Sequence, residues 1–192
     1  SIITVLEKLK EIKKKNGIKK TNFKFEIKEN EIDFHLDKNP NLLAEIYIEN
    51  RIDLKNSLDD IIKGFSKGHK SAVKISYPEI SYELIDYKNY KDKQIKEMQE
   101  LHFTVSQKKT RSDETWLEME KMVLEKKAFI IKVKNSNKLI GYSFFFHNFN
   151  SVYYFSSCVL RDNFKFYKNI GNAMILDAIK YSKKSNFKFF LL

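Results

Sequence analysis

Cysteine, proline, glycine and arginine are all scarce in this chain. The single cysteine, Cys158, excludes an internal disulfide and any zinc or iron–sulfur site built from several thiolates. Two prolines and five glycines among 192 residues exclude collagen-like and low-complexity architectures. Long apolar runs are missing too: Lys or Asn interrupts each apolar stretch well before the roughly 18 to 20 residues needed to cross a bilayer. The opening segment from Ser1 lacks the uninterrupted apolar core and small-residue cleavage site of a secretory signal. A cytoplasmic location is the resulting expectation. The histidines, at 35, 69, 102 and 147, form no i, i+4 pair, and there is no acid-rich calcium loop, so no metal site is expected.

What is present is an ordinary globular composition, 42% hydrophobic and 32% charged, long enough for one sizeable core or for one domain and part of another. A net charge of +11 favours anionic partners, whether nucleic acid, lipid head groups or phosphorylated metabolites. Nearly all of the excess is lysine spread over every segment, since arginine occurs only at 51, 111 and 161. Such a spread is the usual solvated surface as readily as a binding patch.

The periodicity predicts two parts, residues 1–80 and 81–192. In the first, Ile2, Ile3, Leu6, Leu9 and Ile12 draw a helical stripe ending near Asn16-Gly17. Alternation through Phe23, Phe25 and Ile27, then Ile32, Phe34 and Leu36, predicts a β-hairpin, and a strand region follows from Leu42 to Leu54. Ser57 caps a short helix with Leu58, Ile61, Ile62 and Phe65 on its apolar face, which runs into the basic stretch Lys67 to Lys74. In the second part, Tyr82, Leu84 and Ile85 mark a short strand. Ile95, Met98, Leu101 and Val105 mark one helix, and Trp116, Met119, Met122 and Val123 mark another, capped by Ser112 or Asp113. The period then becomes that of strands: Ala128 to Val133, Leu139 to Phe146 and Val152 to Leu160 read as an antiparallel meander. A last helix carries Ala173, Ile175, Leu176, Ala178 and Ile179, and Phe187 to Leu192 reads as a strand buried on both faces. A buried strand needs neighbours on both edges, so further sequence or a partner is expected to cover it.

The order helix, three antiparallel strands, glycine turn, helix and buried strand resembles the core of the GNAT acyltransferases, whose pyrophosphate loop reads Arg/Gln-x-x-Gly-x-Gly/Ala. Lys168, Gly171 and Ala173 occupy the matching positions, with Lys keeping a positive charge at the first. The resemblance therefore implies that Lys168, Asn169, Ile170, Gly171, Asn172 and Ala173 hold the phosphates of an acyl donor. Independently of it, a glycine at a helix start lets an anion approach unpaired N–H groups, although turn chemistry alone also selects Gly and Asn there. The chain is also similar to FemAB-like proteins, which transfer acyl or aminoacyl groups to amines of cell-envelope precursors. The likeness, over residues 45–192, rests on Leu101 to Arg111 followed by Trp116, on Ile52-Asp53-Leu54 leading to Gly68 to Lys74, and on Tyr153-Tyr154 with Arg161-Asp162. The fold expected is α+β: a GNAT-like mixed, mostly antiparallel sheet flanked by helices, preceded by a smaller or partial α/β subdomain.

The chemistry so implied is attack of an amine on a thioester or ester carbonyl, which requires alignment, a proton acceptor and donors for the developing oxyanion. His102 is the first candidate base, with a hydrogen-bonding helix histidine as the plainer alternative. Tyr153 or Tyr154 can offer a hydroxyl to the leaving group, or simply pack in the core. His69 and Lys70 in the basic stretch, and Lys108, Arg111 and Trp116 around the turn, are candidate substrate contacts, each also readable as solvated surface or core. Cys158 reads as a small buried hydrophobe rather than a nucleophile. The function expected is an acyl- or aminoacyltransferase forming an amide on a cell-envelope or glycan precursor, small or lipid-linked, with acyl-CoA such as acetyl-CoA or aminoacyl-tRNA as donor. tRNA and a second copy in a homodimer are the further candidate partners. The competing expectations are a non-catalytic RNA- or anion-binding module and a degenerate scaffold on the same fold.

Overall fold

The computed structural model describes residues 50–192 apart from 75–76, 137 and 161–168, together with Lys8, Glu11, Lys14 and Lys15. Those four are helical, whereas the rest of the expected first helix, the expected hairpin over 23–36 and most of the strand region from 42 lie outside the described residues. The chain divides into two compact units, 1–47 and 48–192.

The second unit carries strand β1 (Arg51–Asp53), helices α1 (Leu58–Gly64) and α2 (Lys67–Lys74), strand β2 (Ile80–Ile85), helices α3 (Gln94–Ser106) and α4 (Asp113–Leu124), strands β3 (Ala128–Asn135), β4 (Lys138–Asn148) and β5 (Ser151–Val159), helix α5 (Ile170–Lys184) and strand β6 (Phe189–Leu191). Local chemistry sets several of these boundaries. Ser57 Oγ accepts the Asp60 amide at 3.1 Å and Ser112 Oγ that of Thr115 at 3.4 Å, so both expected serine caps are in place. Helix α3 ends where Gln107 takes the left-handed conformation, at φ 56°, and returns its N–H to Phe103 O.

The six strands lie in the order β1-β6-β5-β4-β3-β2. All neighbours are antiparallel except β5 and β6. Both faces of the sheet are covered, which is why Ala128 to Val133 are all buried instead of alternating. On one face Phe129, Ile131, Phe145, Val152 and Phe190 meet α5 through Ile170, Met174, Ala178 and Ile179. On the other, Ile85, Ile130, Tyr142, Phe144 and Cys158 meet α3 and α4 through Ile95, Met98, Leu101, Trp116, Met119 and Val123.

Two sequence expectations change. Strand β1 hydrogen-bonds along the outer edge of β6, with Ile52 opposite Phe190, so the edge of the last strand is covered from within the chain rather than by further sequence or a partner. The stretch around α1 and α2, grouped by sequence with residues 1–80, packs with the sheet: Leu54 and Ile61 join the α5 core, and α2 lies against α5. Pairing between distant segments decides both points.

Candidate functional site

Strand β5 departs from regular pairing in two ways at one place. Its partner β6 follows it only from Ser151 to Tyr153, so that residues 154–159 pair with β4 alone among the described residues. Its register against β4 also slips: Tyr154 faces Phe145 and Ser156 faces Phe144, leaving Phe155 as an extra, unopposed residue. Such a bulge sets two consecutive side chains on one side of the sheet. Phe155 accordingly meets Phe144 and Phe146 edge-on, at 6.1 and 5.8 Å between ring centres, on the face covered by α3 and α4.

Over that face lies a cleft of about 480 Å³, lined among others by Glu100, His102, Phe103, Lys108, Arg111 and Trp116. The helix period builds it. Because Met98 and Leu101 point into the core, the next residue, His102, falls on the flank towards α4. The connection between α3 and α4 then folds back over it. His102 Nε2 lies 2.8 Å from Arg111 Nη1, its Nδ1 lies 3.3 Å from Thr110 Oγ1, and its ring meets Trp116 edge-on at 5.6 Å. The Arg111 guanidinium carbon stands 5.6 Å from the Trp116 ring centre and 5.8 Å from that of Phe155. A guanidinium only donates hydrogen bonds, so Nε2 must be the bare, accepting nitrogen and Nδ1 carries the proton. Burial first, and the Arg111 charge second, hold the His102 pKa below its usual value, in keeping with a neutral ring.

The structure thus gathers His102, Lys108, Arg111 and Trp116 into one cleft. The two tyrosines separate. Tyr153 stacks on Phe146 at 4.8 Å on the cleft's side of the sheet, while Tyr154 packs against Phe145 on the α5 side. His69 and Lys70 stand on α2, which packs on α5 and therefore on the side of the sheet away from the cleft. His69 is exposed, with Nδ1 at 3.1 Å from Ser66 Oγ. Cys158 is buried, and burial pushes its thiol up to about 12.

At the start of α5, Lys168 lies outside the described residues. Asn169 makes no side-chain capping bond, and the first turn holds no acidic residue. A Cβ built on Gly171 would meet nothing within 4 Å among the described residues. Asn172 and Ala173 are half-buried, whereas the Ile170 side chain is committed to the core and leaves only its backbone for a ligand. Those features suit an anion held by backbone N–H groups, the role expected of an acyl donor's phosphates.

Sequence reasoning passed over two features. Phe155 was hidden in a strand, although the doubled pattern of Tyr153-Tyr154-Phe155 before Ser156-Ser157 breaks the two-residue period and is the mark a bulge leaves. The other is a polar cluster: Glu97 Oε2 accepts from Lys132 Nζ at 2.5 Å and from the Tyr142 hydroxyl at 2.7 Å. It borders a second cleft of about 440 Å³ on the other flank of α3, lined also by Lys134 and Leu139. No periodicity links residues so far apart in the chain. Among the described residues no cluster of His, Cys, Asp and Glu could hold a metal ion, and no helix is long and apolar enough to cross a membrane.

No family model matches the sequence, and neither does any curated protein. Solved structures do match. FemX superposes over 78% of this chain and 54% of its own, with a TM-score of 0.58 and 11% identity. L-PGS from Bacillus licheniformis superposes over 75% of this chain and 45% of its own, with a TM-score of 0.54 and 12% identity. The chain spans about half the length of these two structures. The mixed, mostly antiparallel sheet with helices on both faces is thus the GNAT-like α+β fold that FemX and L-PGS share with this chain.

Proposed function

We propose that this chain is the transferring part of an N-acyltransferase that moves an acyl or aminoacyl group from acyl-CoA or aminoacyl-tRNA to an amine of a cell-envelope or glycan precursor. The observation that carries this reading is the bulge of β5, whose residues beyond Tyr153 pair with β4 alone among the described residues, with the Arg111 cleft beside Phe155. The amine nitrogen attacks the thioester or ester carbonyl, the carbonyl oxygen gains the charge, and collapse forms the amide as the thiolate or alkoxide leaves and takes up the proton lost by nitrogen. N–H groups that a strand edge turns outward would suit the developing oxyanion, since they are fixed in place before the charge forms. The structural likeness to FemX and L-PGS supports the fold on which such a reaction would run. On this reading the phosphates of the donor sit over the first turn of α5, and the acceptor enters by the α3–α4 cleft.

Substitutions at Gly171 test the donor site, because no described residue occupies the space beside it. Gly171→Ala places a methyl group that meets none of the described residues within a helix, and is expected to raise unfolding stability by a few tenths to about 1 kcal/mol, read from urea midpoints. Gly171→Glu sets a side chain and a negative charge where the phosphates would lie. Calorimetry with acetyl-CoA and desulfo-CoA should show binding to the parent and none to this variant. Unchanged affinity in folded Gly171→Glu would dismiss the site. For an aminoacyl-tRNA donor, affinity should fall steeply across a salt series.

A further inference from the structure

We infer that the α3–α4 cleft recognises a substrate oxyanion, phosphate or carboxylate, through the outer donors of Arg111, and that His102 is a positioning residue that holds those donors in place. This deepens the transferase reading by giving the ligand in the cleft a charge, and it rests on that reading only for which substrate carries the anion. Arg111 is held on three sides: Trp116 and Phe155 lie within cation–π distance, and one Nη1–H is given to His102 Nε2. Its remaining donors have no partner among the described residues. Among the described residues no carboxylate pairs with it, since Asp113, which also lines the cleft, is engaged by Lys109 at 2.8 Å and by Gln99 at 3.0 Å. A half-buried guanidinium fixed against aromatic walls, with no counter-charge among the described residues, presents a flat fork of N–H groups that matches an oxyanion. The cleft is large enough to hold such an anion with the group attached to it.

The His102–Arg111 contact leaves no free lone pair on Nε2, and so removes from His102 the acceptor that a general base needs. It also couples the two residues. The charged groups around the His102 ring are Glu100 on α3, Lys108, Lys109 and Arg111 in the connection, and Asp113 on α4, while Cys158 on β5 stays neutral. Protonated His102 would face Arg111 as cation to cation. An anion bound there relieves that repulsion, so binding raises the pH at which His102 titrates, and by linkage the anion binds more tightly as the pH falls through that point.

The test needs no turnover, so it can fail while transfer survives, or hold where transfer is never found. The His102 ring is followed by NMR through a pH titration, alone and with pyrophosphate or succinate as probe, and affinities are measured by calorimetry. Binding of either probe with an upward shift of the His102 midpoint supports the site, and the stronger probe tells phosphate from carboxylate. Arg111→Ala should weaken the bound probe at least about tenfold, and Arg111→Lys, which keeps the charge and the fold but loses the fork, several-fold. His102→Gln keeps an acceptor and should hold affinity near neutral pH while abolishing its rise in acid. The inference is overturned if neither probe moves the His102 midpoint, or if both Arg111 variants bind like the parent.

Discussion

On the transferase reading, deletion of Phe155 is expected to leave the fold standing and to reduce transfer by about 100-fold or more, the scale of loss that a displacement of about 1 Å at a reacting centre produces. The reason lies in the register. Tyr154 opposite Phe145 and Ser156 opposite Phe144 are already neighbours in a regular ladder once the extra residue is removed. Residues on either side of the deletion therefore keep their faces: Cys158 stays under α3, and Ser157 stays beside Ser143, which bonds Met174 on the other face. Phe155 is 46% exposed, so its loss forfeits about 1 kcal/mol of burial, which regained ladder hydrogen bonds offset to a similar extent. The site fares differently. Arg111 loses one of its two aromatic walls, and the strand edge straightens where the carbonyl would sit. Thermal melts should coincide to within a few degrees while kcat/KM collapses. A straightened strand that still turned over would mean that the bulge does not shape the site. Phe155→Leu keeps the bulge without the ring and should cost only several-fold, the value of one partly exposed cation–π contact of about 0.5 to 1 kcal/mol.

Glu97→Ala is expected to be among the most destabilising single substitutions of a partly exposed residue here, by about 2 to 4 kcal/mol in urea unfolding at neutral pH. Glu97 serves two groups that the fold has taken out of water. The Lys132 side chain is 9% exposed and Tyr142 is fully buried, and the Glu97 carboxylate accepts from both. Truncation strands an ammonium and a hydroxyl together, and the adjoining cleft lets water relieve only part of that penalty. Glu97→Gln retains an accepting oxygen and should cost less than half as much. Acid tells the same story. Burial would raise the Glu97 pKa, but the hydrogen bonds from Lys132 and Tyr142 outweigh it and leave the pKa below its usual value. A carboxylate lowered in the folded state stabilises fully above its unfolded pKa, and that contribution is lost as pH falls through the folded one. The parent should therefore lose stability below about pH 4, and Glu97→Gln should lose less over the same range. Equal acid sensitivity in the two would show that the cluster contributes nothing.

The two clefts flank α3, and Glu100 and Thr104 line both. The Glu97 cluster thus does more than hold the sheet together. By anchoring the first turn of α3 to β3 and β4, it sets the line of the helix that carries His102 and, through the connection beyond, Arg111. A variant weakened at Glu97 should accordingly bind anions less well even where it remains folded.

Much of the fold was legible from residue order. Alternation and helical spacing each report on the few residues nearest in sequence, and they located β2 to β5, α3, α4 and α5 together with the caps at Ser57 and Ser112. Clustering His102, Lys108, Arg111 and Trp116 from one short segment was legible for the same reason, because a helix, a turn and a helix bring nearby residues together. His69 and Lys70 fell away from that cluster because the face of the sheet on which α2 packs is fixed by distant contacts with α5.

What the sequence alone determined, then, was the kind of each element, the glycine and uncharged first turn at the start of α5, and the aromatic and basic inventory of the α3–α4 segment. Only the tertiary structure decided that β1 closes the edge of β6, that β5 bulges at Phe155 to place a ring under Arg111, and that His102 gives its lone pair to a guanidinium instead of keeping it for a proton. The division has a single cause. Periodicity is a property of local backbone geometry, whereas strand register, edge pairing and side-chain partnership are settled by the packing of segments far apart in the chain.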